Sequence, residues 1–159
     1  MNLMAFLVLS VEPGMASASI YERMAELLPD SGIGRRLKAL ANDENRNAGA
    51  LRIKCRFDQE LTDSRIQIHL EDGKIEKRMA DGVAYLSKLQ RGLSISNGLE
   101  KMLDFERRVE GFHSAARRQI GSPSLKRLIM ILIKSNRSRI QALGKLKEEH
   151  LSAPAASRG

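Results

Sequence analysis

The 159-residue chain is 42% apolar, 29% charged and only 4% aromatic, with no Trp. That composition suits one globular domain whose core is built from Leu, Ile, Met and Ala, which favours helix over sheet. Its single cysteine, Cys55, excludes an internal disulfide and any Cys-clustered zinc or iron–sulfur site, and no apolar run approaches the roughly 18 residues that span a bilayer. The net charge of +8 is uneven, because residues 107–147 hold eleven Lys and Arg against one acid, Glu110.

The pattern predicts four long helices in two pairs. The first covers about residues 2–28. Residues 3–9 are apolar, and Ala16-Ser17-Ala18 resembles a signal-cleavage site. No Lys or Arg precedes the apolar run, so the segment reads as a buried first helix rather than a leader. Pro13, within Glu12-Pro13-Gly14, is expected to kink or break that helix. The turn Leu28-Pro29-Asp30-Ser31-Gly32 follows. Asp30 or Ser31 can cap the second helix, whose Ile33, Leu37, Leu40, Ala41 and Leu51 keep the helical period.

Residues 56–97 read as a long crossover. Ile66, Ile68 and Leu70 alternate, and Glu71-Asp72-Gly73-Lys74 could turn a hairpin. Residues 80–89 read as helix instead, and a helical or irregular crossover is the preferred reading. The third long helix starts after Ser96-Asn97-Gly98, with the stripe Leu99, Met102, Leu103, Phe105, Val109 and Phe112. Ser122 caps the fourth, with Pro123 at its first position. Its stripe is Leu125, Leu128, Ile129, Leu132, Ile133, Ile140 and Leu143. The expectation is one all-α domain over 1–150, with helical hairpins at about 2–55 and 98–150 joined by the 56–97 crossover, and a disordered tail over 151–159.

A shift of 92 residues superimposes the two pairs without a gap. Ile33 falls on Leu125, Leu37 on Ile129, Leu40 on Leu132 and Leu51 on Leu143. Leu7, Val11 and Ile20 fall on Leu99, Leu103 and Phe112, and Asp30 falls on the cap Ser122. One helical pattern matches another cheaply, so the matched turn is what raises the repeat above coincidence.

The second helix reads Leu40-Ala41-Asn42-Asp43-Glu44-Asn45-Arg46-Asn47-Ala48-Gly49-Ala50-Leu51. This resembles the rubrerythrin-like branch of the ferritin-like superfamily, where Leu-Ala-x-x-Glu-x-x-His-x-x-x-Leu is typical. Glu44 falls on the ligand Glu, and Asn47 replaces the His. In the third helix, Glu106 precedes Phe112-His113 and Ala116, as the family's Glu precedes its Tyr and Ala, so that His113 stands on the Tyr. The first helix keeps Tyr21 and Ala25 but has Gly14 where the Glu belongs. In the fourth, Asn136 and Arg139 replace Glu and His. The resemblance covers 5–53 and 97–145. It implies a ferritin-like four-helix bundle, two hairpins joined by a long crossover, usually dimeric and holding two irons. Only Glu44 and Glu106 of six ligand positions keep the family residue. Two carboxylates with Asn and Arg are a poor donor set for two irons.

Arg139 replaces a ligand while two acids remain. The expectation is that its guanidinium takes the metal's place, pairs with Glu44 and Glu106, and is completed by Asn47 and Asn136. Left unpaired, any of these buried charges would be costly. The competing arrangement puts Arg139 on a solvated outer face. If any metal binds, the candidate ligands are Glu44, Glu106 and His113, with iron or another divalent ion as cofactor. Glu110, one turn from His113, is its nearer partner on the helix, and Glu12 could replace the missing Glu if Pro13 rotates the helix. His69, His150 and Cys55 read as structural, and for His113 a satisfied structural role is preferred over a ligand.

Arg127, Lys134, Gln141 and Lys145 share a face opposite the apolar stripe, flanked by Lys126, Arg137 and Lys147. Arg107, Arg108, Arg117 and Arg118 add charge. That face would suit a nucleic acid, an anionic surface or an acidic protein, or is simply solvated. No phosphate loop, nucleophile elbow or zinc-protease motif occurs. The reading is a cytoplasmic, homodimeric, non-catalytic structural or interaction protein without a cofactor. The alternatives are retained metal-dependent oxidoreductase chemistry and a nucleic-acid or anionic-surface binder.

Overall fold

The computed structural model describes residues 3–57, 68, 74–89 and 92–152. Five helices account for nearly all of them: α1 (Leu3–Glu26), α2 (Gly32–Phe57), α3 (Lys74–Leu89), α4 (Ile95–Gln119) and α5 (Pro123–Ser152). There is no strand among the described residues. The chain is therefore all-α, as its composition and periodicity predict.

α1 does not break at Pro13; the helix runs through it. Proline removes one backbone bond and costs about 3 kcal/mol in a helix interior. Phe6, Leu7 and Val11 before it, and Ala18, Ile20 and Tyr21 after it, are all buried. Each such side chain contributes about 1.5–3 kcal/mol when buried, so continuous packing outweighs the proline. Of the apolar N-terminal stretch, Phe6 and Leu7 lie in the core and Val8 is exposed.

The turn into α2 is built from Ser31 and Gly34. Ser31 Oγ accepts from Gly34 N at 2.8 Å and donates to Leu28 O at 3.0 Å. Ser31, not Asp30, is the cap. A Cβ on Gly34 would lie 1.9 Å from the Leu28 carbonyl oxygen, so only glycine lets the chain turn this tightly. Ser31→Ala is expected to lower stability by about 1 kcal/mol, measured by urea denaturation. An unchanged midpoint would show that the cap is dispensable.

Ser94 caps α4, its hydroxyl accepting from Asn97 N at 3.3 Å, so this helix starts four residues before the predicted point. Ser122 caps α5 ahead of Pro123 as expected, though its bond to Leu125 N is long at 3.5 Å. The caps Ser31 and Ser122 are 91 residues apart, so the turns are one residue out of step with the 92-residue repeat. The burial pattern keeps it. Leu37 and Ile129, Leu51 and Leu143, Leu7 and Leu99, and Ile20 and Phe112 are buried pairwise.

α1 packs along α2, and α4 along α5. Specific contacts set how the hairpins meet. The Phe6 and Phe112 rings stack 5.0 Å apart, while a Cβ on Gly98 would touch Met24 Sδ. The start of α1 thus meets the end of α4, and the two run antiparallel. Arg36 pairs with Glu149, and Asn47 Nδ2 donates to Ser135 Oγ at 3.0 Å, so α2 and α5 are antiparallel too. The crossover must return along the molecule, and α3 does so, packed on α1 and α4. Its helical state replaces the hairpin alternative for 74–89. Ile68 is buried in the core, while 66–67 and 69–73 lie outside the described residues. The tail prediction is corrected at its start, because α5 extends to Ser152; 153–159 lie outside the described residues.

No helix is long and apolar enough to cross a membrane among the described residues.

Candidate functional site

Four long helices each aim polar side chains at one point in an otherwise apolar interior. From α2 comes Glu44, from α4 Glu106 and His113, and from α5 Asn136 and Arg139, all buried. α1 supplies Ser10 and Tyr21, also buried, and Gly14. The spacing explains the convergence. Glu106 and His113 are two turns apart, and Asn136 and Arg139 three residues apart, so each pair shares one helix face.

Arg139 lies at the centre and is only 7% exposed. Its Nε donates to Glu106 Oε2 at 3.1 Å and lies 2.8 Å from Glu44 Oε1. Its Nη1 donates to Ser135 Oγ at 2.7 Å. The arrangement with Arg139 on an outer face is thus excluded, and the expected pairing with both acids is present. Asn136 Nδ2 donates to Glu106 Oε2 at 2.8 Å, and the Tyr21 hydroxyl donates to Glu106 Oε1 at 2.8 Å. Asn136 completes the network as expected. Asn47 does so only indirectly, through Ser135.

His113 is a buried, hydrogen-bonded structural residue, the reading preferred over a metal ligand. Its Nδ1 lies 2.9 Å from Asn136 Oδ1, and its Nε2 lies 3.2 Å from Ser10 Oγ. Because the Asn136 amide nitrogen is turned to Glu106, its oxygen faces the ring, which assigns the proton to Nδ1. His113 therefore reaches Glu106 only through Asn136. Glu110 is not its partner; it accepts from Arg137 Nε at 2.8 Å instead. Glu12 is exposed and does not replace the missing acid. Gly14 does face the site, since a Cβ there would lie 3.2 Å from Glu44 Oε2. His150 is buried and bonded to Ser96 Oγ at 3.1 Å. His69, and the side chain of Cys55, lie outside the described residues.

The electrostatics follow from burial. Desolvation raises the Glu44 carboxyl to about 8, and the neighbouring Glu106 adds to this against the lowering pull of Arg139. Glu44 thus holds a proton at neutral pH. Burial lowers His113 to about 4; the Asn136 bond opposes this and the Arg139 charge assists it. The ring is neutral. Burial would lower Arg139, yet Glu106 and Glu44 more than offset it, so its value rises and it stays charged. Tyr21 is held well above its usual value, by burial and then by Glu106. A charged guanidinium, one protonated acid and a neutral imidazole make a nearly charge-balanced centre. No buried side-chain nitrogen or oxygen lacks a partner among the described residues.

These residues do not fit a di-iron centre. The donor set offers two carboxylates, and the guanidinium lies within bonding distance of both. Asn136 and His113 are committed to each other. Among the described residues no group of three or more His, Cys, Asp or Glu could hold a metal ion. Beside the network lies a cavity of about 20 Å³, bounded by Ser10, Gly14, Asn47, His113 and Ser135. That is room for about one water molecule.

Tyr21, Ser10 and Ser135 were not singled out as members of this network from the sequence. The signal for Ser10 is a small polar residue between the run Phe6-Leu7-Val8-Leu9 and Val11; for Ser135 it is the position four residues before Arg139.

The basic residues predicted on one face are on the surface. Arg127, Lys134, Gln141 and Lys145 are exposed, as are Lys126 and Arg137. Arg137 is neutralised by Glu110. Lys147 is half-buried.

Compared with models of known protein families, with curated proteins and with solved structures, the chain finds no match.

Proposed function

We propose that this chain is a rubrerythrin-like member of the ferritin-like superfamily in which an arginine has replaced the di-iron centre, and that it serves as a non-catalytic structural or interaction protein. One observation carries the reading. The two acids that the resemblance equates with metal ligands, Glu44 and Glu106, both lie at bonding distance from the Arg139 Nε. Arg139 itself stands where the resemblance expects a ligand His. The supporting pattern is the connectivity, two antiparallel hairpins with a long return between them, which is that of ferritin-like bundles. Of the two positions that lack the resemblance's carboxylate, Gly14 faces Glu44 without a side chain to offer, and Asn136 offers an amide.

A guanidinium supplies the positive charge that two metal ions supply elsewhere, but it has no open coordination position and no redox chemistry. It fixes the four helices and forgoes catalysis. The test is anaerobic loading of the purified chain with ferrous ion, followed by elemental analysis and a peroxide-reduction assay. The expected result is far less than one iron per chain and no turnover. About two irons per chain, the stoichiometry of a di-iron centre, would overturn the reading and restore the oxidoreductase alternative.

A further inference from the structure

The buried centre leaves the net charge of +8 unused. In the fold that charge is sorted. Arg139 is withdrawn into the interior, Arg137 is paired with Glu110 at 2.8 Å, and Arg107 lies 3.8 Å from Asp104. Among the cations still exposed, one set forms a stripe along α5. Arg127, Lys134, Gln141 and Lys145 are exposed, with Ser138 between them. From Arg127 to Lys145 the stripe spans about 27 Å at 1.5 Å per residue. Arg117, Arg118 and Lys126 are exposed around the α4–α5 turn. No Asp or Glu occurs between Glu110 and Glu148, so on α5 acids enter only past Lys145, whose charge acts on Glu149.

A row of cations along one helix face is complementary to a regular polyanion. Its composition narrows the choice. The stripe carries no aromatic side chain, and its one exposed apolar residue is Ile131, at 63%. Without an aromatic or an apolar cluster it has little to insert into a lipid interface, and nothing on which to stack unpaired bases. The long polar side chains that it does present, including Gln141, suit phosphates along a duplex.

We propose that the outward face of α5, continued by the α4–α5 turn, binds the phosphate backbone of a nucleic-acid duplex without reading its sequence. Arg127, Lys134 and Lys145 contact phosphates along the helix, and Arg117, Arg118 and Lys126 do so at its end.

Fluorescence anisotropy of a labelled DNA duplex of about two helical turns, titrated with the full chain at several KCl concentrations, tests this. Saturable binding is expected at about 50 mM KCl, weakening roughly 10²- to 10³-fold by about 200 mM if four to six phosphates are neutralised. The paired change Arg127→Glu with Lys134→Glu is expected to flatten the salt slope by about 2. The charge-matched pair Arg35→Glu with Lys38→Glu, on exposed positions of α2, is expected to keep it. Circular dichroism confirms that both variants fold. No saturable binding at low salt overturns the proposal, as does equal loss in both pairs. Tighter binding to phosphatidylserine vesicles than to the duplex also overturns it, and assigns the stripe to a lipid surface.

Discussion

Replacing Arg139 with alanine is expected to cost about 3–5 kcal/mol of folding stability near neutral pH, a large share of the 5–15 kcal/mol that holds a domain together. The reason is what the change leaves behind. Glu44 and Glu106 are both buried, and the guanidinium is the cation at bonding distance from each. Without it, the one cation of a low-dielectric site is gone, so a second proton must join the one Glu44 already holds or a buried negative charge stays unpaired. Two companion measurements separate this from ordinary loss of packing. Toward pH 4 the carboxyls of the variant take up protons, so part of the lost stability should return; a cavity effect would not respond to pH. Removing the whole charged set together, as Glu44→Gln, Glu106→Gln and Arg139→Met, should be far milder than the single change, because buried ion sets are often replaced by neutral residues at little cost. Urea denaturation of the variants reads both. If Arg139→Ala costs less than about 1 kcal/mol, the range of an exposed ion pair, the guanidinium does not organise the core.

Much of this centre was legible in the sequence because the resemblance set Glu44, Glu106 and Arg139 at ligand positions and helical spacing is strict. Once Glu106 is placed inward, His113 must share its face, and once Asn136 is inward, so must Arg139. Pairing followed from charge: two buried acids need a cation, and Arg139 was the one basic residue aligned with them. What spacing does not give is hydrogen-bond direction between helices. The seven-residue step from Glu106 to His113 left Glu110 as the ring's nearer partner. The amide of Asn136 intervenes instead, and no sequence rule says which way an amide turns. Tyr21 was legible as a repeat position but not as the donor to Glu106, since the contact depends on how α1 lies against α4. Pro13 misled for a related reason. Its local cost is fixed, whereas the burial that offsets it on both sides is a property of the assembled core. The crossover was the least legible part, because the 66–70 alternation and the 80–89 helical pattern compete over lengths too short to decide between them.

The same centre predicts an unusual pH profile. Glu44 binds its proton more tightly in the folded chain, at about 8 against an ordinary 4.5. Between those values the native state holds a proton that the unfolded state has released, so stability falls as pH rises through the window. His113 acts in the opposite sense. Its folded value is about 4 against 6.5, so between those values the unfolded state holds the extra proton, and stability falls as pH drops. From about pH 4.5 to 6.5 the two slopes cancel. Above 6.5 only Glu44 titrates, and up to pH 8 the loss is on the order of 2 kcal/mol at 1.36 kcal/mol per unit. Stability is therefore expected to be flat in mildly acidic solution and to decline from neutral to pH 8. Glu44→Gln imitates the protonated acid, with an amide oxygen to face Arg139 and no proton to lose. It should match the parent chain near pH 6 and exceed it by about 2 kcal/mol at pH 8. The difference between the two denaturation curves, taken across pH 5 to 9, isolates this one group from every other titration in the chain. A difference that stays constant over that range would mean that Glu44 is already ionised beside Arg139. The centre would then carry two full negative charges on one guanidinium rather than a balanced set.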